Sequence, residues 1–288
     1  MTEQHWFHAP NLLTRHLKDW KTIDEISDAL RTDPLAGLKV PGLSLVERHE
    51  LLIAEKTPLL PTTQSLRLAM AMVAMHRNSL RVRNPGLASG RRLVSETIEA
   101  AKSGFDFWKA PPAPGACLQI VKGITGTAKT VTVKHTLHNL IGDQVIYHAE
   151  EPAALIKSAV QLSWLFVGMS HDGSRGGLLG GILLGVDAKL GTTFATDLPK
   201  SYKSVERLAG AVIALLHTLY LGILVIDEIQ LLNLVDAPQS ALMQLFILSL
   251  VNSGIPVVLV GNPFGFSWLP RFSQNLTRGI ERPQVMFH

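Results

Sequence analysis

Gly123-Ile124-Thr125-Gly126-Thr127-Ala128-Lys129-Thr130 is the strongest local signal in this chain. Ahead of it, Ala116 to Val121 is a short apolar run with the pattern of a buried strand; behind it, Val131 to Leu140 suits a helix. Strand, glycine-bearing loop ending in Lys-Thr, then helix is the context that a phosphate-binding loop requires. Such a loop turns several backbone N–H groups toward one point, where the helix dipole adds positive potential. Gly123 to Thr130 are then the nucleotide-binding residues, with Lys129 reaching the β- and γ-phosphates of ATP and the Thr130 hydroxyl ligating Mg²⁺. Ala128 stands where the motif G-x-x-x-x-G-K-[ST] has its second glycine. If that position needs positive φ, the added methyl costs on the order of 1 kcal/mol. That is enough to weaken binding or slow hydrolysis without abolishing either.

A loop of this kind needs a partner, and one lies downstream. Leu221-Gly222-Ile223-Leu224-Val225-Ile226-Asp227-Glu228-Ile229-Gln230 is rich in β-branched residues and ends in two acids. It predicts a central parallel strand, buried on both faces. Successive strand residues point in opposite directions, so adjacent carboxylates can do different work. Asp227 would enter the Mg²⁺ shell, and Glu228 would face a water in line with the γ-phosphate. An apolar run capped by Asp-Glu would by itself be only a strand end; the loop upstream gives it a meaning.

The chain of 288 residues has room for one large α/β domain and a smaller appendage. Its hydrophobic content of 47% and mean hydropathy of +0.21 raise the question of a membrane span. Leu208 to Ile226 is the one stretch of near-spanning length, but it contains His217, Tyr220 and Gly222 and runs into Asp227-Glu228. A helix followed by the buried strand is the better reading, so no membrane is expected. There is no basic-then-apolar secretory signal at the N-terminus, and the single Cys117 excludes an intramolecular disulfide. Both fit a reducing cytoplasm. The net charge of +4 permits contact with DNA phosphates without demanding it.

Residues 1–62 form a predicted helical extension, with Leu12 to Leu30 at helical spacing and a second helix over Ser44 to Ala54. It can cap the core or dock a partner. His5 with His8, and His135 with His138, lack a third ligand and are not expected to bind metal. Residues 63–288 are the predicted catalytic core. It opens with a helix over Pro61 to Val82, capped by Thr62 or Thr63. Arg81, Arg83, Arg91 and Arg92 follow; their default reading is a solvated face, with an adenine-pocket rim or a DNA contact as alternatives. Gln144 to His148 and Gln161 to Gly168 are predicted strands. A helix capped by Asp172 or Ser174 then runs to Leu190, a long helix spans Ser201 to Leu221, another Ala237 to Val251, and a strand covers Ile255 to Val260. Strands alternating with helices imply a parallel sheet with its ligand at the carboxyl ends of the strands.

These strings resemble AAA+ ATPases of the TnsC/TniB transposition-regulator type. The likeness rests on Lys129-Thr130, on Val225 to Gln230, and on Val257 to Pro263. Arg83-Asn84-Pro85, Asp172-Gly173-Ser174 and Leu190-Gly191-Thr192 extend it over roughly residues 65 to 282. The resemblance implies an AAA+ P-loop fold and a homo-oligomeric ring or filament that assembles on double-stranded DNA with ATP and Mg²⁺. It also implies two protein partners, a target-selector protein and a transposase subunit. In this family's terms Glu228 activates water, Asp227 holds the metal, and Asn262 senses the γ-phosphate. An arginine acting in trans would be Arg271, Arg278 or Arg282, and Lys200, Lys203 and Arg207 are candidates for DNA contact. Only 25 residues (288 minus 263) follow Pro263, too few for the family's helical lid, which is expected to be reduced or missing. Two alternatives stay open: a P-loop ATPase not acting on DNA, and a nucleotide-gated adaptor with little hydrolysis.

Overall fold

The computed structural model describes residues 9–33, 35–53, 59–150, 158–234, 237–267 and 285–287. Among them the strands are β1 (Leu118–Gly123), β2 (Val145–His148), β3 (Ala159–Leu162), β4 (Trp164–Gly168), β5 (Ile223–Asp227), β6 (Val257–Gly261) and β7 (Val285–Phe287). β2 and β3 form a separate antiparallel pair, while the other five make a wholly parallel sheet in the order β4-β5-β6-β1-β7. Parallel neighbours need long crossovers, and the helices supply them. The chain carries α1 (Ile23–Leu30), α2 (Leu45–Ile53), α3 (Thr63–Val82), α4 (Ala88–Ser103) and α5 (Lys129–His135). Then come α6 (Arg175–Leu190), α7 (Phe194–Ser201), α8 (Val205–Thr218) and α9 (Ala237–Asn252).

Alternation along the strands divides the core into two layers. Ile120, Leu224, Ile226, Val257 and Leu259 face α6, α8 and α9, with α4 packed outside α8. Val121, Ile223, Val225, Val258 and Val260 face α3 and α5. Every residue of β5 and β6 is buried, which is why both read as unbroken apolar runs. The sheet order places β6 between β1 and β5. The strand ending at Asn262 is thereby wedged between the one feeding the glycine loop and the one ending at Asp227.

Several boundaries depart from the sequence reading. The predicted strand Gln161 to Gly168 is two strands, because Leu162 N donates to Leu219 O and Ser163 N to Gln144 O, breaking the run at Ser163. β3 turns away to pair with β2, and only β4 joins the main sheet. The helix predicted over Leu12 to Leu30 is confined to α1, where the Thr22 hydroxyl accepts from Glu25 N and fixes the start. The helix expected over Ser201 to Leu221 begins at Val205, with Ser204 as its cap, and α7 precedes it as a separate element. The membrane-length stretch is therefore the end of α8, a turn and β5, and no helix among the described residues is long and apolar enough to cross a membrane. Beyond His135 the helix continues as π-helix over Thr136–Ile141.

The arginine run is also not uniformly solvated. Arg83 is buried, donating from Nε to Ser79 O and from Nη2 to Ser79 Oγ and to Leu221 O. In the N-terminal region, α1 packs on α3 and on the π-turn, with Trp20 Nε1 donating to Leu140 O at 3.1 Å and Asn139 Nδ2 to Ala29 O at 2.9 Å. His5, His8 and Ala54 lie outside the described residues.

Candidate active site

β1 ends at Gly123, where an added Cβ would come within 2.7 Å of Phe287 O and 2.8 Å of Thr127 Oγ1. The loop then turns through Gly126 at φ +87° and Ala128 at φ 59°, ψ 19°. Ala128 does occupy the left-handed region that the glycine of the motif would serve, so its methyl carries the strain the sequence suggested. Thr127 Oγ1 donates to Ile124 O at 2.8 Å and Lys129 Nζ to the same oxygen at 2.6 Å. The ammonium thus folds back over the loop, and moving it from Ile124 O onto a phosphate exchanges one charge-assisted bond for a stronger one. Partial burial lowers the Lys129 pKa, opposed by the negative charges of Asp227 and Glu228.

Opposite this loop, β5 delivers Asp227, which is 6% exposed. Its Oδ2 accepts from Thr130 Oγ1 at 2.7 Å and its Oδ1 from Glu228 N at 2.8 Å. A buried carboxylate in contact with a threonine hydroxyl is a hard-oxygen donor pair suited to Mg²⁺, which takes one or two protein oxygens and completes its shell with phosphates and water. The residues present therefore fit the ion. Glu228 is exposed and adopts φ 59°, a left-handed conformation unusual for a residue with a side chain. From β6, the Asn262 side chain accepts from Gly265 N at 3.1 Å, capping a short 3₁₀ turn. The Gln230 amide lies between them: Nε2 donates to Glu228 Oε2, and Oε1 accepts from Asn262 N at 3.2 Å.

Together these segments enclose a cavity of about 370 Å³ between Thr125–Val131, Asp227, Glu228, Gln230 and Gly261-Asn262. Lys129, Thr130, Asp227, Glu228 and Asn262 are brought to one place from three adjacent strand ends. A larger groove of about 610 Å³ opens between the end of α4, α8 and α9. Of the charges lining it, Arg175 and Glu206 are paired with each other at 2.5 Å and Asp106 with Lys109 at 2.6 Å, so its size does not make it the better site.

The other anticipated residues fall elsewhere. Lys200, Lys203 and Arg207 are exposed along α7 and the start of α8, away from the cavity, with Arg207 on the rim of the larger groove. Arg271, Arg278 and Arg282 lie in the sequence between β6 and β7, outside the described residues. Two of the shorter strings are architectural. Ser174 caps α6 through Gly177 N, and Asp172 Oδ1 accepts from Ser174 N, a bond that with the Ser174 and Ser170 hydroxyls holds its pKa at about 2. Gly191 closes α6 at φ 66°, and Asp187 gathers Thr192 Oγ1, Phe194 N and Ala195 N. Gln230 is the residue that sequence reasoning quoted without a role. The only signal was its place in the Asp227 string.

The AAA domain family matches residues 115–268, just over half of the 288-residue chain, a span holding the glycine loop, Asp227-Glu228 and Asn262. No curated protein matches. Among solved structures, the Aeropyrum pernix ORC1 protein in complex with DNA is similar at 16% identity and a TM-score of 0.40, over 72% of this chain and 49% of that one. Drosophila ORC bound to DNA is similar at 15% identity and a TM-score of 0.30, over 85% of this chain and 55% of that one. The chain thus spans about half the length of each of these structures.

Proposed function

Because this chain belongs to the AAA domain family and has the AAA+ P-loop fold, we propose that it is an ATP-hydrolysing switch of the TnsC/TniB type. In this reading it assembles on double-stranded DNA without sequence preference and links a target selector to a transposase. The observation that carries the nucleotide chemistry is the meeting of Lys129, Thr130, Asp227, Glu228 and Asn262 around one cavity. Lys129 would leave Ile124 O for the phosphates, and Thr130 and Asp227 are the residues that would hold Mg²⁺. When bound, that ion neutralises charge building on the phosphate oxygens. Glu228 orients a water and takes its proton. The Asn262 amide gives up Gly265 N and turns its NH₂ toward the γ-phosphate. Arg271, Arg278 or Arg282 of a neighbouring copy would complete the charge balance in trans, and residues 1–62 would dock a partner protein.

The DNA part of the proposal is supported by the strings shared with the transposition regulators and by the net charge of +4. Exposed Lys200, Lys203 and Arg207 add to it. One copy offers few phosphate contacts, whereas an ATP-linked assembly sums many. Binding should therefore depend on ATP, be cooperative in protein, ignore sequence and weaken steeply with salt as counterions are released. Fluorescence anisotropy on two unrelated duplexes, across a salt series with ATP analogue, ADP or no nucleotide, tests this. Equal affinity in all three states, or none in any, would leave a P-loop ATPase that does not act on DNA. A second reading, a nucleotide-gated adaptor with slow turnover, draws on the strained Ala128 at φ 59°. ATP-dependent DNA binding without phosphate release would favour it.

A further inference from the structure

The Gln230 side chain joins the two strand ends on which the proposed chemistry depends. Its Nε2 donates to Glu228 Oε2, and its Oε1 accepts the backbone N–H of Asn262 at 3.2 Å. A carboxamide can donate to the carboxylate from its NH₂ and accept the amide N–H on its oxygen at the same time, while carrying no charge. The slot that holds it is close-fitting. A Cβ at Gly261 would stand 2.8 Å from Gln230 Oε1, and a Cβ at Gly265 would stand 2.7 Å from Gln230 N. Both neighbours on the Asn262 turn are therefore glycine where the glutamine passes.

We propose that Gln230 is a positioning residue that sets the Glu228 carboxylate and ties its setting to the turn bearing Asn262. This rests on the ATP-hydrolysing reading above. Glu228 needs such help. It is exposed, sits on left-handed backbone at φ 59°, and a free carboxylate there has several rotamers to sample. One donated bond from Gln230 fixes Oε2 and leaves Oε1 to accept the proton of water. The other end of the amide is anchored on Asn262 N, the backbone of the same residue whose side chain faces the γ-phosphate in the reading above. A shift of the whole turn bearing Asn262 toward phosphate, backbone included, pulls on Gln230 Oε1 and so moves Glu228. Arrival of the γ-phosphate and placement of the base are one event.

Two substitutions in the full chain separate this role from simple packing. Gln230→Ala removes both bonds. Gln230→Glu keeps the size and the acceptor for Asn262 N but has no proton to give Glu228 when ionised. Both should lower kcat on the order of 10- to 100-fold, the loss typical of a misplaced catalytic group or a lost outer-shell partner. In Gln230→Ala the calorimetric affinity for a non-hydrolysable analogue should change far less than kcat, because both lost bonds run between protein groups; Gln230→Glu adds negative charge to the cavity, so it is compared by kcat at saturating ATP. Parental kcat in Gln230→Glu overturns the proposal while leaving hydrolysis intact. So does a loss in which analogue affinity falls as far as turnover, since that marks a collapsed pocket. An unsubstituted protein that releases no phosphate overturns the hydrolytic reading itself, and this inference with it.

Discussion

Lys129 and Glu228 show how much of the proposed chemistry hangs on single side chains. Among the described residues Lys129 Nζ has neutral oxygens as its hydrogen-bond acceptors, Ile124 O at 2.6 Å and Thr127 Oγ1 at 3.5 Å. A phosphate therefore gains a charge-assisted bond worth about 1.5–3 kcal/mol. Lys129→Ala should weaken ATP binding by roughly 10- to 150-fold in titration calorimetry; unchanged affinity would mean that the loop does not grip phosphate. Glu228→Gln should behave differently. The amide keeps the shape and can still accept from Gln230 Nε2, but it cannot take a proton from water. ATP should remain bound while phosphate release stops, and a variant releasing phosphate at the parental rate would show that the base is another group. Arg83 carries a further lesson at this scale. Within a run of four arginines it alone is 1% exposed, and burial lowers its pKa to about 10. Nothing in its immediate neighbours distinguishes it, because the oxygen it reaches on Leu221 is 138 positions away.

At the scale of elements, glycine marks where two helices touch. Gly210 of α8 lies against α4 so closely that a Cβ would stand 2.3 Å from Ala101 O, a backbone atom that cannot swing aside. Replacing an interior helical glycine by alanine ordinarily stabilises by up to about 1 kcal/mol. Here forcing the helices apart costs about 1–3 kcal/mol, so the clash wins. Gly210→Ala should lower the denaturant midpoint with the slope unchanged, and a rise would show that α4 can slide away. Two helix starts were legible because capping is local: Thr62 caps α3 through Ser65 N, and Ser174 caps α6, each from within three residues, whereas the starts of α1 and α8 were placed too early. The break at Ser163 was not legible. Apolar residues continue on both sides of it, and the bonds that divide the run come from Gln144 and Leu219, far off in the sequence.

For the molecule as a whole, acid should be a weakness. His76 and His217 are buried on the side of the fold near Arg83, and burial lowers both pKa values to about 3, reinforced by His16 and Arg83 at His76 and by Arg83 at His217. Each is neutral in the native state below the pH at which the unfolded chain begins to take up a proton, near 6.5. Above pH 6.5 neither state is protonated, and the pair contributes no pH dependence. As pH falls from 6.5 toward 3, only the unfolded state gains protons, so stability drops by about 1.4 kcal/mol per pH unit for each histidine. His217→Leu should therefore show a shallower loss of stability between pH 7 and pH 5 than the parent, by roughly 2 kcal/mol over that range. Denaturant melts at the two pH values measure it, and equal losses would mean that His217 is not the responsible group.

Elements that carry their own local signal could be placed from the chain of residues alone. The glycine loop with Lys129-Thr130, the apolar strand ending in Asp227-Glu228, and the alternation of strand and helix each depend on residues within about a dozen positions. Periodicity, turn chemistry and capping act over that range. How those pieces meet is a matter of the three-dimensional fold. The placement of β6 between β1 and β5, the division of the strand at Ser163, the burial of Arg83 and the amide bridge at Gln230 are contacts between distant segments. They are settled by which hydrogen bonds remain to be satisfied once the core has closed, a condition that no local stretch of sequence contains.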